Sequence, residues 1–184
     1  MKALDAIHTR VSSPRLTQPA PSESALDHIF RAAFRAADHG LLRPWRFLSI
    51  QEESRHKLGE LFLQAAMSDA PDISEQQQEK IRNKPLRAPM LVVTIASIQE
   101  HPKVPAFEQD LSAAAATQNM LIAAHALGVG AMWRTGSMAY HPLVMEGLGL
   151  GQNEKIIGFL YLGTHDGPRK PIREIDLSDF VREW

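Results

Sequence analysis

The sequence predicts a single α+β domain in which helices flank a central sheet. Two apolar runs, residues 90–96 and 155–163, are typical of central strands that are covered on both faces. Helical and strand patterns follow one another in mixed order along 184 residues, a length that suits one compact domain. We find no internal repeat and no domain boundary, so we expect residues 1–184 to form one unit.

A buried helix is expected at the centre of this domain, within residues 109–136. Small and apolar residues occupy nearly every face of it, which is typical of a helix that is covered on most sides. Asp110 is the expected N-cap, and Gly128 suits the position just after the last turn. Residues 130–134 then indicate a short strand. This strand would bring three residues to one place: Trp133, Arg134 and Thr135. A core helix followed by an ordinary turn is the alternative.

The composition excludes several classes of function. Without cysteine, the chain has no disulfide, no cysteine-bound metal and no catalytic thiol. A net charge of -1 gives no electrostatic argument for binding nucleic acid or an anionic membrane. We see no signal peptide and no apolar stretch of the roughly 18 residues that a membrane span needs. We therefore expect a cytoplasmic protein that binds neither nucleic acid nor membrane.

The N-terminal part contains a candidate anion site. A short helix over residues 3–9 is followed by a break at 10–16, which holds Arg10 and Ser12. Arginine forms two-pronged hydrogen bonds with phosphate, and serine adds a short donor. A solvated surface loop is the alternative for the same residues.

The segments that follow predict a regular order of elements. A helix should begin at Ser22 and end near residues 37–40, with Asp27 paired to Arg31. A strand over 46–51 and a helix opening at 52 come next. The polar residues 68–84 indicate a solvent-facing excursion, mobile or partly helical, that could cover a site.

The last third of the chain shows few chemical motifs. Pro142 should begin a short helix, and the glycine-rich residues 147–151 indicate a turn rather than a nucleotide-binding loop. The eight histidines are scattered, so no metal site is expected. No nucleophile elbow or P-loop is present. The tail, residues 164–184, ends in apolar side chains that we expect to dock on another surface.

Three stretches carry a resemblance to a known family: Arg10-Val11-Ser12, Pro44-Trp45-x-Phe47 and the run from Asp110 to Arg134. Together they resemble the nitroreductase family, FMN-dependent NAD(P)H oxidoreductases. The run from Asp110 through Gln118-Asn119-Met120 and Gly128-Val129-Gly130 to Trp133-Arg134 is similar to the central helix of that family. Arg10-Val11-Ser12 resembles its N-terminal Arg-Arg-Ser segment. Pro44-Trp45-x-Phe47 resembles the end of its Asn-x-Gln-Pro-Trp-x-Phe loop, but Leu41 and Arg43 replace the asparagine and the glutamine. These departures indicate a short, divergent branch of the family, in which Trp45 is expected to be a buried anchor.

The resemblance implies a nitroreductase-like sandwich with a mostly antiparallel sheet. It also implies an intertwined homodimer with two flavins at the subunit interface and the C-terminal tail packed on the partner. Expected contacts to FMN come from Arg10, Val11, Ser12, Trp133, Arg134 and Thr135 of one chain and from Arg35 and His39 of the other. For His39, a capping or surface role is the alternative. A contact to nicotinamide is implied, with a core role as the alternative, for Ala123, Ala124, His125, Ala126, Leu127 and Gly128.

The implied activity needs no catalytic side chain, because the flavin carries the chemistry. A hydride would pass from NADH or NADPH through FMN to a small-molecule electron acceptor such as a nitroaromatic or a quinone. The alternative is a flavin-binding or sensing homodimer with little turnover. A third interpretation is an interaction module without flavin.

Overall fold

The computed structural model describes residues 1–184 and contains six α-helices and five β-strands. The helices are α1 (Ala3–Thr9), α2 (Glu23–Ala33), α3 (Glu53–Asp69), α4 (Glu75–Arg82), α5 (Ala106–Ala126) and α6 (Pro142–Gly147). The strands are β1 (Leu16–Thr17), β2 (Trp45–Gln51), β3 (Met90–Ser97), β4 (Gly130–Arg134) and β5 (Glu154–His165).

The five strands form one antiparallel sheet around β5. This strand pairs with β3, β4 and the short β1, and β2 continues the sheet beyond β3. The expected α+β architecture with an antiparallel sheet is therefore confirmed. The two apolar runs predicted as central strands are β3 and β5, and every residue from Met90 to Ala96 is buried.

Two hydrophobic cores lie on opposite faces of this sheet. Successive strand residues point to opposite faces, so Val92 packs in the core under α2 and α5, and Val93 packs in the core under α3 and α6. The first core includes Ile29 and Met120, and the second includes Phe62. The result is the predicted sandwich of helices, sheet and helices.

The central helix α5 begins earlier than the sequence indicated. It starts at Ala106 with Pro105 as the N-cap, so the expectation that Asp110 caps it was wrong. Proline provides a fixed φ suited to helix entry and lacks the N–H that would need a partner. Asp110 lies inside the helix, where its carboxylate binds Lys155 Nζ at 2.7 Å. Gly128, with φ of +76°, follows the helix end as predicted.

Helix α2 is shorter than predicted and ends at Ala33 instead of near residues 37–40. Its start is as expected, because the Ser22 hydroxyl accepts a hydrogen bond from the Ala25 N–H. The predicted pair of Asp27 and Arg31 is also present, at 2.6 Å. After the helix, Asp38 holds a loop by accepting hydrogen bonds from backbone N–H groups. Trp45 is buried after this loop, as predicted.

The polar stretch 68–84 is more ordered than a mobile excursion. Helix α3 continues to Asp69, and α4 begins with a capping box in which Ser74 and Gln77 satisfy each other's backbone N–H groups. Of the residues 147–151 expected to form a turn, Gly147 ends α6 and Leu148-Gly149 form a turn after it. Beyond β5, residues 166–184 are exposed. No helix combines the length and apolar character needed to cross a lipid bilayer.

Candidate functional site

The N-terminal segment lies beside strand β4. The Ser13 N–H donates a hydrogen bond to the Ala131 carbonyl at 2.9 Å, and Ser13 is buried. Leu16 of β1 pairs with His165 of β5, which fixes the other end of the segment. The predicted anion-binding residues therefore lie at the beginning of the strand that presents Trp133.

A small cavity, which we call the N-terminal cavity, lies where this segment meets β4. Its volume is about 20 Å³, enough for one compact chemical group. No carboxylate is among its lining residues, so its charged groups are cationic. The lining residues are Arg10, Val11, Ser13, Leu121, His125, Gly128, Val129, Gly130, Ala131, His165 and Arg169.

His125 contributes to this cavity as a neutral group at pH 7. Burial lowers the pKa of His125 below its usual value, and Arg169 and Arg10 lower it further. Its Nε2 lies 2.9 Å from the Thr9 hydroxyl, so α1 holds the imidazole ring in place. The positive charge of the cavity therefore comes from the two arginines.

A larger opening, the β4 cleft, lies at the other end of β4. It has a volume of about 390 Å³ and combines aromatic, thioether and cationic side chains without a carboxylate. The predicted residues Trp133, Arg134 and Thr135 all line it. The remaining lining residues are Phe62, Lys84, Arg87, Met132, Gly136, Ser137, Met138, Phe159 and Tyr161.

Three cations of the β4 cleft lack acidic partners. Lys84, Arg87 and Arg134 take part in none of the six ion pairs of the protein. The Arg134 guanidinium lies 5.4 Å from the centre of the Tyr161 ring, and its Nε is buried without a hydrogen-bond partner. Burial lowers the pKa of Lys84, and the neighbouring Arg87 and Lys80 lower it further. The cleft is thus suited to an aromatic ligand with electronegative atoms.

Trp133 is held by the strand next to it. Its indole N–H donates to the Ile157 carbonyl at 3.4 Å, and the side chain packs over Gly158. A Cβ atom at Gly158 would lie only 2.0 Å from the indole nitrogen. The ring is half-buried and packs against the first core, so it anchors β4 as well as lining the cleft.

The two openings are spaced by the length of β4. From Gly130 to Arg134 the chain advances four residues, or about 13 Å in an antiparallel strand. The cationic N-terminal cavity suits an anionic group, and the β4 cleft suits an aromatic group.

Arg35 and His39 lie in neither opening. Arg35 lines a separate groove after α2, and His39 Nδ1 lies 2.6 Å from Glu108 Oε2 near the start of α5. Glu108 and His125, which lines the N-terminal cavity, are 17 positions apart on α5. This separation corresponds to about 25 Å along the helix. One subunit therefore does not bring His39 to the residues at Arg10.

The two departures from the family motif occupy strained backbone positions. Leu41 and Arg43 have φ values of +55° and +50°, a left-handed conformation that asparagine and glycine tolerate better. Asp38 stabilises this loop by accepting hydrogen bonds from the N–H groups of Leu42 and Arg43. Leu41 is 82% exposed, so the loop presents an apolar side chain to the surroundings.

Only some of the residues considered for nicotinamide can reach a ligand directly. His125 and Gly128 line the N-terminal cavity. Ala124 is fully buried in the first core, which fits the core alternative for that residue. Ala123 and Ala126 are half-buried, and Leu127 is exposed.

Sequence reasoning missed four basic residues of the two openings. His165 is the last residue of β5 and Arg169 lies just beyond it, and Lys84 and Arg87 precede β3. The available signal was their position at the ends of the two central strands, where functional residues are often found on loops. Ser12, by contrast, is half-buried but does not line the N-terminal cavity.

Comparison with solved structures defines the class of the fold. A nitroreductase-like family protein from Bacillus cereus matches with a TM-score of 0.84, covering 100% of this chain and 96% of that chain at 23% identity. A variant of the FMN- and NADPH-dependent nitroreductase NfnB from Sphigopyxis sp. strain HMH matches with a TM-score of 0.78 at 20% identity, covering 100% and 99%. The fold is nitroreductase-like.

Sequence comparison identifies the family. The nitroreductase family matches residues 7–164. The Escherichia coli K12 protein named "Putative NAD(P)H nitroreductase YdjA" is 40% identical over 164 residues, 89% of this chain and 88% of that protein. A Haemophilus influenzae protein named "Putative NAD(P)H nitroreductase" is 39% identical over 185 residues, 98% of each chain. The chain belongs to the nitroreductase family, as its resemblance predicted.

Proposed function

We propose that this protein is an FMN-dependent NAD(P)H oxidoreductase. The observation that carries the proposal is the pairing of the N-terminal cavity with the β4 cleft, about 13 Å apart along β4. FMN has a phosphate at one end and a flat, electronegative ring at the other. Two arginines at one opening and aromatic and cationic side chains at the other fit these two ends.

The residues of one chain would divide the binding of FMN between them. Arg10, Val11 and Ser12 would hold the phosphate and the ribityl chain, and Trp133, Arg134 and Thr135 would line the ring. Buried Arg134 Nε has no partner within the protein, so a ligand atom would satisfy it. Bound FMN would supply the transfer of a hydride from NADH or NADPH to a nitroaromatic, a quinone or a similar acceptor.

The protein's own part in this reaction is binding, orientation and the exclusion of water. Phe62 and Phe159 are buried at the base of the β4 cleft and would keep water from the ring. Lys84 and Arg134 place positive charge where electron density would increase on reduction. Of the residues considered for a nicotinamide contact along Ala123–Gly128, Ala124 is buried in the first core and Leu127 is exposed, so an exposed residue such as Leu127 would be the one to reach nicotinamide.

A homodimer would complete the site. His39 contacts Glu108, which lies about 25 Å along α5 from the N-terminal cavity. Arg35 and His39 would therefore act on the flavin of the partner subunit. Apolar side chains are exposed on α1, at the end of α2, on the start of α5 and along the tail, in amounts that favour burial against another surface. They include Leu4, Ile7, Phe34, Phe107, Leu111, Ile175, Phe180 and Trp184. The tail, residues 164–184, would pack on the partner.

The names of the relatives support the same assignment. The Escherichia coli and Haemophilus influenzae proteins are named as NAD(P)H nitroreductases, and NfnB is described as FMN- and NADPH-dependent. Of the three descriptions, only that of NfnB names FMN, which is the cofactor proposed for the two openings.

The first test is to purify the protein, record its visible absorbance and identify any released chromophore. We expect a yellow protein that releases FMN at about one per chain, because a symmetric dimer has one equivalent site per subunit. A colourless protein that also fails to take up added FMN would refute the proposal.

A flavin-binding or sensing homodimer with little turnover is the second candidate. It is favoured by Leu41 and Arg43, which replace two polar residues of the family motif in a strained loop. Steady-state oxidation of NADH and NADPH with several acceptors separates the two candidates. A protein that is fully loaded with flavin, but whose flavin neither NADH nor NADPH reduces, would favour the sensor.

A further inference from the structure

The loop between α2 and β2, residues 38–43, contacts the first turn of α5. His39 Nδ1 in this loop lies 2.6 Å from Glu108 Oε2. The next residue of α5, Gln109, is only 1% exposed, although its side chain ends in a polar amide. A buried amide is stable only when its hydrogen-bonding groups are paired, so the partners of Gln109 indicate what it holds in place.

The Gln109 side chain binds the backbone of the segment that precedes α5. Its Oε1 accepts a hydrogen bond from the Gln99 N–H at 2.9 Å. Its Nε2 donates to the Gln99 carbonyl at 2.8 Å and to the Val104 carbonyl at 3.3 Å. The backbone of Gln99 is therefore fixed relative to α5 by hydrogen bonds on both sides of one amide.

The Gln99 side chain connects this backbone to the loop 38–43. Its Nε2 donates a hydrogen bond to the Leu42 carbonyl at 2.8 Å. A Cβ atom at Gly40 would lie 3.4 Å from a methyl carbon of Val104, so the loop also packs against the segment that Gln109 holds. We call the series of hydrogen bonds from Gln109 through Gln99 to Leu42 the α5 brace.

The loop depends on support from outside, because its backbone conformation is unfavourable. Leu41 and Arg43 have φ values of +55° and +50°, and residues other than glycine hold such values only where the surrounding structure fixes them. Leu41 is 82% exposed, so its own side chain supplies little of that support. The contacts from α5 reach the loop on both sides of Leu41, at His39 and at Leu42.

We propose that Gln99 is a positioning residue, which through the α5 brace holds His39 where it would contact the flavin of the partner subunit. This inference rests on the proposed function, since it takes the contact of His39 with that flavin from there. Gln99 lines neither the N-terminal cavity nor the β4 cleft, so it would act on flavin binding only through the loop.

The test removes the hydrogen bond from Gln99 to the loop and measures flavin binding and turnover separately. Gln99→Met keeps the length of the side chain but has no donor for the Leu42 carbonyl. Gln78 on α4 makes a hydrogen bond of the same kind, from its Nε2 to the Ile73 carbonyl at 3.1 Å, so Gln78→Met is the matched control. Dissociation constants for FMN are measured by quenching of flavin fluorescence, and kcat for NADH and NADPH oxidation is measured at saturating FMN.

We expect Gln99→Met to weaken FMN binding about threefold to tenfold and to change kcat at saturating FMN by less than about twofold. Gln78→Met should change neither quantity. A loss of folded protein would instead lower kcat and leave the dissociation constant unchanged. FMN affinity in Gln99→Met that equals the wild-type value would overturn the proposal.

A double-mutant cycle with His39→Ala tests whether Gln99 acts through His39. Once His39 is removed, Gln99→Met should weaken FMN binding by less than about twofold more, because no imidazole remains to be positioned. Effects of the two substitutions that simply multiply would show that Gln99 does not act through His39, and would also overturn the proposal.

Hydrogen exchange in flavin-free protein separates this inference from the proposed function. The N–H groups of Leu42 and Arg43 donate to the Asp38 carboxylate within the loop. We expect them to exchange about threefold faster, or more, in Gln99→Met than in wild type or Gln78→Met. Faster exchange confined to residues 38–43 would support the α5 brace even if the wild-type protein takes up no FMN, a result that refutes the proposed function alone. Unchanged exchange would refute the brace whatever the flavin result.

Discussion

Glu154 should make the stability of this protein depend on pH in the acidic range. The carboxylate at the start of β5 accepts two hydrogen bonds from Arg46, both 2.6 Å long, and a third from the Gly151 N–H at 2.9 Å. These bonds, with Arg46 as the main cause, lower the pKa of Glu154 from 4.5 to about 2. These hydrogen bonds connect Arg46 of β2 to the start of β5.

The size of the effect follows from this pKa difference. At about 1.4 kcal/mol for each tenfold change in proton affinity, it corresponds to roughly 3 kcal/mol of folding free energy at neutral pH. The Arg46 side chain is 34% exposed, so solvent screening reduces the contribution to about 2 kcal/mol. Because the pKa is lowered in the folded state, this stability is complete above pH 4.5. It disappears as the pH falls towards 2.

Urea unfolding of wild type and Glu154→Gln, followed by circular dichroism at several pH values, measures the effect. Protein and flavin concentrations are held constant, since bound ligands and partner subunits shift apparent stability. We expect Glu154→Gln to lose about 2 kcal/mol at pH 7, with the difference shrinking below pH 4.5. The exposed pair of Glu60 and Arg82 provides the control, and Glu60→Gln should cost about 0.5 kcal/mol or less. A difference between wild type and Glu154→Gln that is the same at pH 3 and pH 7 would refute the reasoning.

Three further substitutions test other parts of the structure. Gly158→Ala should destabilise the protein by about 1–3 kcal/mol and change its near-ultraviolet circular dichroism, because the new Cβ displaces the Trp133 ring; an unchanged spectrum and stability would contradict the packing described. Leu41→Gly should stabilise it by about 0.5–1 kcal/mol by relieving a left-handed backbone, measured by urea unfolding; a loss of stability would show that the leucine side chain is buried in the dimer. Arg10→Ala should weaken FMN binding by about 1.5–3 kcal/mol, the range for a hydrogen bond to a charged group; equal FMN affinity would remove Arg10 from the site.

Local patterns were sufficient to predict much of the fold. The apolar runs of β3 and β5 and the apolar faces of α5 reflect burial on both sides, which leaves a direct trace in the sequence. Ser22 and Gly128 mark helix ends through chemistry confined to one turn. Such signals involve residues a few positions apart, so the sequence alone carries them.

The errors arose where distant residues decide the outcome. Asp110 has the composition of an N-cap, but Lys155, 45 positions away, binds it within α5. The end of α2 depends on the Asp38 loop and not on the helical pattern, which continues past Ala33. Residues 68–84 were predicted to be mobile or partly helical; they are partly helical, and the capping box of Ser74 and Gln77 that begins α4 is a local signal.

The candidate site also contains residues that local motifs predicted and residues that only tertiary packing brings together. Arg10 and Trp133 were found because their motifs are continuous in the sequence. His165 and Lys84 have no motif, and they join the two openings only through the pairing of β1, β4 and β5 and the position of the segment before β3. Long-range strand pairing of this kind is set by tertiary packing, which periodicity does not record.

The meeting of both chain ends at the N-terminal cavity has a consequence for dynamics. This space is closed by two segments, residues 10–16 and 165–169. The pairing of β1 with β5 that joins them contains only two residue pairs. Chain ends held by so few hydrogen bonds open locally far more often than a core strand. Cofactor retention would then scale with the fraction of time that both ends are docked. Bound FMN should slow amide hydrogen exchange at the two ends of the chain more than anywhere in β3.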